Sequence, residues 1–495
     1  MSRQIFIRHV PRGGLKSFLP PASNPLEATL PTPAMSHVSH PLITASILGC
    51  VLLTLSGCGA DSLTHPGSPY DESSLEEVGV GKTGDVLSDD LVELLESVSP
   101  TGDVSFFLMP NSAQFDRIPQ DPLNPLSSKK VKLGQLLYHE TAMAVNSTTG
   151  NQETFSCASC HFAQAGFQAG LAQGVADGGS GFAMRVNVHS TESDIQPIRT
   201  PSSMNTAYQV RMLWNGQFGG PGNEGNGNAS IDFVQLNQEG LHGLEVQAIK
   251  GLAVHRMEDG AAEVVDFNKY ENYFRQVFGD SEDAVSRRNA GLAIAAFERT
   301  LLANEAPFQR WLKGNAGAMS AAEKRGALVF FGDKANCSSC HTGPALNSES
   351  FHALGMFDLD DGAPGLLAGT VPDGARLGRG GFTGDATDNY KFKTPQLYNL
   401  TDSPFYGHGA SFRSVREVVE YKNAGVPENA SAYNLSADFN PLGLSEQEMD
   451  DLVAFLETGL NDAHLMRYVP SKLPSGNCLT LNDEQSQEDL GCTVD

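Results

Sequence analysis

The chain has 495 residues, room for two or three domains, and 40% of them are hydrophobic, which excludes a disordered protein. Its net charge of −25 argues against a nucleic acid or an anionic membrane surface as partner and suits a basic one. Fifty-one glycines and 27 prolines beside only 18% charged residues describe a loop-rich chain whose short elements need fastening by more than a continuous core.

In chain order, residues 1–58 read as a signal sequence. Leu42 to Gly57 is a sixteen-residue apolar run, short for a bilayer core of roughly 30 Å, and it ends in Leu55-Ser56-Gly57-Cys58. That ending looks like a bacterial lipoprotein signal, with Cys58 as the lipidated first mature residue. Met1 and Met35 are both available as the start. Residues 59–119, rich in Ser, Gly, Asp and Pro, read as a flexible tether. Helices are expected from Ser127 to Tyr138 and from Ser320 to Phe331, each beginning at Ser with apolar residues at helical spacing. A third runs from Leu292 to Leu302 with Glu298 and Arg299 facing outward. A final one opens at the Ser445-x-x-Glu448 capping box and closes near Gly459. Few stretches alternate as strands, so the fold class is mainly α with long ordered loops.

Cys157-Ala-Ser-Cys160-His161 and Cys337-Ser-Ser-Cys340-His341 both read C-x-x-C-H, the attachment signature of c-type haem. Each thiol adds to one haem vinyl group, and the adjoining histidine then lies beneath the iron as proximal ligand. A zinc site would need four ligands together, whereas each cluster supplies three and the clusters lie 180 residues apart. Two covalently bound haems are the expected cofactors. Cys478 and Cys492 enclose thirteen residues in a polar tail, 471–495, and a disulfide there suits an oxidising compartment.

With two such motifs at this separation, the body resembles the bacterial di-haem cytochrome c peroxidase family, which includes the MauG-like enzymes that oxidise protein side chains. The resemblance covers about 120 to 465. It rests on Asn124-Pro125-Leu126 leading to Leu133-Gly134, on Arg199-Thr200-Pro201 through Asn205, and on Leu213-Trp214-Asn215-Gly216. Ala296 through Leu301 and Lys393-Thr394-Pro395 through Asn399 continue it in order. It implies two tandem cytochrome c-like haem domains: a peroxidatic one at 120–305 and an electron-transfer one at 306–470.

The same resemblance implies site residues. Trp214 would lie between the haems as an electron relay. Calcium between the domains is implied, with the Asn205 side chain and backbone oxygens near Thr401 and Ser403 or Pro404 as ligands. Gln247 falls on the family's pocket glutamine. The catalytic glutamate expected about ten residues later meets His255-Arg256-Met257-Glu258, one residue out of register; Glu258 is the nearest carboxylate, and Arg256 or His255 are the alternatives. The far ligand of the second haem, Met in the peroxidases and Tyr in the side-chain oxidisers, falls on Tyr421 or Lys422. Tyr421 is the expected ligand, since lysine must first lose a proton held with a pKa near 10.4. His408 reads as a hydrogen-bonding neighbour.

The expected function is peroxide reduction to water with electrons from a small donor protein, a cytochrome c or cupredoxin. A MauG-like oxidase and a non-catalytic di-haem carrier are the alternatives. The expected location is the periplasm or cell envelope, with membrane contact only through the lipid anchor, and a homodimer follows the family's habit.

Overall fold

The computed structural model describes residue 70 and residues 79–81, 84–182, 192–219, 231–257, 267–361, 371–429 and 434–492. The expected signal run, Cys58 and Glu258 lie outside these residues. The helices are α1 (Val86–Val98), α2 (Ser128–His139), α3 (Ile231–Gln238), α4 (Gly243–Val254), α5 (Phe267–Phe278), α6 (Arg287–Glu298), α7 (Pro307–Leu312), α8 (Ala321–Phe331), α9 (Asp373–Arg376), α10 (Arg379–Thr383), α11 (Val415–Ala424), α12 (Glu446–Ala454) and α13 (Glu484–Leu490). Among the described residues one sheet forms, β1 (Phe351–His352) antiparallel to β2 (Phe392–Lys393), with Phe351 opposite Lys393. The chain is thus mainly helical, with short 3₁₀ turns and long loops between helices.

Serine side chains start the main helices as expected. The Ser127 hydroxyl accepts from the Lys130 amide at the head of α2. Ser320 with Glu323, and Ser445 with Glu448, close reciprocal capping boxes on α8 and α12. α12 then runs into a π-helical turn, Phe455–Gly459, and α13 follows it in the tail, so the helix opened by Ser445 is not the last.

Two helix pairs repeat one packing device. At Gly134 of α2 an added Cβ would lie 1.8 Å from the Ala293 carbonyl oxygen of α6 and 2.9 Å from the Phe297 Cβ. At Gly326 of α8 it would lie 1.9 Å from the Asp451 carbonyl oxygen of α12 and 2.8 Å from the Phe455 Cβ. Each crossing therefore brings two backbones together where only glycine fits, with an aromatic residue one turn further on. The two crossings belong to the two lead-in helices that precede the cysteine motifs.

The tether reading fails over most of its length. Leu91 and Leu95 of α1 are fully buried, Val92 nearly so, and the helix packs against α8. Phe107 and Met109 are fully buried as well, and Gln309 of α7 clamps their backbone: its Nε2 donates to the Phe107 oxygen at 2.9 Å, and its Oε1 accepts from the Met109 amide at 2.8 Å. Each such side chain gains about 1.5–3 kcal/mol by burial, which a solvated tether would forgo. The tail is likewise docked. Cys478 and Cys492 are disulfide-bonded, the Ser159 hydroxyl inside the first motif donates to the Thr480 oxygen at 2.6 Å, and Leu481 bridges to Phe155.

Candidate functional site

Each C-x-x-C-H motif is wound into one 3₁₀ turn, Cys157–Ser159 and Cys337–Ser339, and each following histidine amide donates to the first cysteine's carbonyl, at 3.1 Å for His161 and 2.9 Å for His341. The four thiols are not paired with one another. Both turns open on a single cavity of about 1060 Å³, at the top of the roughly 300–1,000 Å³ range of small-molecule sites.

The histidines are set for metal. His161 Nδ1 lies 3.2 Å from the Phe167 carbonyl and 3.2 Å from the Ser203 hydroxyl. His341 Nδ1 lies 3.1 Å from the carbonyls of Leu346 and Pro395. A carbonyl oxygen only accepts, so Nδ1 carries the hydrogen in both rings and Nε2 is left with its lone pair. Burial pushes both imidazoles down to about 4, which keeps them neutral. Two neutral histidines, each beside two thiols outside any disulfide in a roomy apolar-walled cavity, fit covalently attached haem.

Two helices wall the cavity with one face each. From α4 and its C-cap come Leu244, Gln247, Ala248, Gly251 and His255, a spacing that keeps them on one side of the helix. From α11 come Val415, Val418, Val419 and Lys422, again at helical spacing. Trp214 also lines the cavity, and its Nε1 donates to the Arg199 carbonyl at 2.8 Å. The His408 ring lies 6.5 Å from the Trp214 ring, stacks on Phe392 at 3.7 Å, and is hydrogen-bonded through Nε2 to Asp358 at 3.2 Å.

Gln247 lines the cavity as expected, but its neighbours differ from the expectation. Arg256 is turned away: its Nη1 is held by the Asp177 carboxylate at 2.6 Å and the Glu192 carbonyl at 2.7 Å. His255 takes the inward position, with Nδ1 2.7 Å from the Asp194 carboxylate. That carboxylate accepts, so Nδ1 carries a hydrogen and Nε2 is the free end of the ring.

Tyr421 is also turned away from the cavity. Its hydroxyl donates to the Leu354 carbonyl at 2.5 Å and its ring packs against Phe412 and Phe439. Lys422, one residue on, lines the cavity instead, and burial pushes its amine down to about 8. The register of α11 decides this, because one residue rotates a side chain by roughly 100°.

The residues expected to hold calcium carry other hydrogen bonds in this structure. Asn205 is fully buried, but its Oδ1 accepts from the Ala303 amide at 3.0 Å and its Nδ2 donates to Gln396 at 3.2 Å. At Ser403 the hydroxyl meets the Arg199 guanidinium at 3.1 Å, and a buried cation there repels a dication.

Glu298 and Arg299 are buried rather than outward. Arg299 forms a two-point pair with Glu245, Nη2 to Oε2 at 2.7 Å and Nε to Oε1 at 2.9 Å. Glu298 borders the cavity with Oε2 unbonded among the described residues, and burial pushes its carboxyl up to about 8. Glu298, Ser203 and Asp194 are site residues the sequence reading gave no role, whereas His255 was one of its alternatives. Ser203 and Glu298 carried a signal only through their places in the 199–205 and 296–301 strings.

The family described as di-haem cytochrome c peroxidase matches residues 128–317. The chain is 30% identical over 345 residues to the methylamine utilization protein MauG of Methylorubrum extorquens, spanning 69% of this chain and 81% of that one. It is 23% identical over 359 residues to the cytochrome c551 peroxidase of Nitrosomonas europaea, spanning 72% and 88%. Among solved structures, a MauG-like protein associated with microbial copper homeostasis is similar at a TM-score of 0.50 and 24% identity, covering 72% of this chain and 97% of that one. That last likeness speaks for the fold alone.

Proposed function

Because the chain belongs to the family of di-haem cytochrome c peroxidases and MauG-like enzymes, oxidoreductases that act on peroxide, we propose that it reduces hydrogen peroxide to water with electrons from a small cytochrome or cupredoxin. The observation that carries this reading is the one cavity shared by the two C-x-x-C-H turns, with Trp214 also on its wall. The haems, when bound, supply peroxide cleavage and the storage of oxidising equivalents.

The side chains do the rest. Reduction of one peroxide consumes two electrons and two protons, so a group in the first pocket must move protons between the oxygens. His255 Nε2 suits that task, since Asp194 fixes the ring's tautomer and orientation through Nδ1. The Gln247 amide on the same face of α4 donates a hydrogen bond to a bound oxygen without taking its proton. Ser203 and the Phe167 carbonyl hold His161 from behind. Trp214 is read as the electron relay between the two sites. Export to the periplasm or cell envelope is part of the proposal, supported by the Leu42–Gly57 run and the tail disulfide, with Cys58 as lipid anchor.

A second reading, oxidation of a protein side chain as in MauG, is favoured by one observation: α11 offers the cavity a lysine amine and no thioether. Stopped-flow mixing of the reduced holoprotein with peroxide and a reduced donor cytochrome separates the two. Continuous donor oxidation, lowered at least about a hundredfold by His255→Asn, is expected. A peroxide-oxidised enzyme that persists without donor turnover would favour the second reading.

A further inference from the structure

We propose that the ε-amine of Lys422 is the second axial ligand of the haem iron held by His341. The inference rests on the haem reading and selects Lys422 over Tyr421, the two residues on which the family's ligand position falls.

Three observations carry it. The face that α11 turns to the cavity consists of Val415, Val418, Val419 and Lys422, so Nζ is the one donor atom this helix offers there. Lys422 lines the cavity together with Cys337, Cys340 and His341, the chemistry-bearing residues of the second motif, and its charge reaches them. Among the described residues Nζ has no hydrogen-bond or ion-pair partner; its recorded neighbour is the Phe439 ring, with the centroid 5.6 Å away. An enclosed ammonium without an anion costs several kcal/mol, and the same amine as a neutral donor to a Lewis acid avoids that cost.

Two of the competing donors are otherwise engaged. The Tyr421 hydroxyl donates to Leu354 and lies off the cavity. His352 lines the cavity, but Nδ1 meets the Ser436 hydroxyl at 3.1 Å and Nε2 the Ser350 hydroxyl at 2.8 Å. Met356 also lines the cavity and is the rival the test must exclude. Ligation exchanges a proton for iron: the ammonium loses H⁺ to solvent, and the freed lone pair forms the Fe–N bond with no change in oxidation state. An amine stabilises ferric iron better than a thioether, so this haem should have a lower potential than a His/Met one.

The test uses holoprotein labelled with ¹⁵N at lysine side chains. Pulsed EPR on the low-spin ferric signal of the second haem should show a coupled lysine ¹⁵N. Lys422→Ala should abolish that coupling and turn this haem high-spin, and Lys422→Met should restore a low-spin signal at a higher potential. A low-spin second haem without lysine coupling overturns the inference, as does a low-spin signal lost in Met356→Leu but kept in Lys422→Ala. Pyridine haemochrome on the same sample separates the failures: two haems without the coupling refute only the ligand, whereas a missing second haem refutes the cofactor reading as well.

Discussion

Trp214 and Arg199 are tied by a hydrogen bond from the indole Nε1 to the backbone carbonyl at 2.8 Å, in a segment whose guanidinium is itself held by Gln168 and Ser403. The indole is thereby fixed on the wall of the cavity that both motifs share. Trp214→Phe keeps most of the ring's packing and loses the N–H. Electron transfer between the two haems should slow by at least about tenfold, equivalent to about 1.4 kcal/mol of barrier, at unchanged haem content. Stopped-flow absorbance measures it, and an unchanged rate would remove Trp214 from the electron path.

Gly134 and Gly326 make the two helix crossings sensitive to a single methyl group. A Cβ at either position overlaps a carbonyl oxygen of the opposing helix, at 1.8 and 1.9 Å, and backbone cannot yield as a side-chain tip can. Gly134→Ala and Gly326→Ala should each cost about 3 kcal/mol or more. Urea denaturation of the holoprotein checks this, and a loss under 1 kcal/mol would mean that the crossings tolerate separation.

The Arg299–Glu245 pair is buried on both sides, and Asn124 adds a hydrogen bond to Glu245 at 3.3 Å. Removing one charge strands the other. Arg299→Met should lose about 3–5 kcal/mol, and the double variant Arg299→Met, Glu245→Leu should recover most of it. A double-mutant cycle reads the coupling, and additive losses would contradict a paired role.

Asp177 gives a pH signature. Burial opposes its charge, but hydrogen bonds from Thr149, Ser147, Arg256 and Thr148 outweigh that and hold the carboxyl below its ordinary value. The unfolded chain therefore takes up the proton first as pH falls. The stabilisation is complete above the unfolded pKa of about 3.9 and is lost through the lower folded value. Asp177→Asn should lower stability by about 3 kcal/mol at pH 7, and the gap should narrow towards pH 3. Thermal melts across that range test it; a gap independent of pH would contradict the charge's role.

Legibility in the sequence followed the range of the interaction. The two C-x-x-C-H turns, the serine-capped lead-in helices and the Ser445–Glu448 box are local, written in residues a few positions apart, and all appear in the structure. The α1 stripe of Leu91, Val92 and Leu95 was equally local, yet the average composition of 59–119 masked it. Facing was harder to read. The partner that draws Arg299 inward lies 54 residues away at Glu245, which no local pattern reports. On α4 and α11 a one-residue register shift exchanges Arg256 for His255 and Tyr421 for Lys422, and only packing fixes which residue faces inward.

The account depends on two haems joined by thioether bonds to one chain. Pyridine haemochrome absorbance against protein concentration from amino-acid analysis measures this directly in the holoprotein. The account predicts two haems per chain, falling to one in Cys157→Ala, Cys160→Ala and to one in Cys337→Ala, Cys340→Ala. A wild-type value of one or none would contradict it.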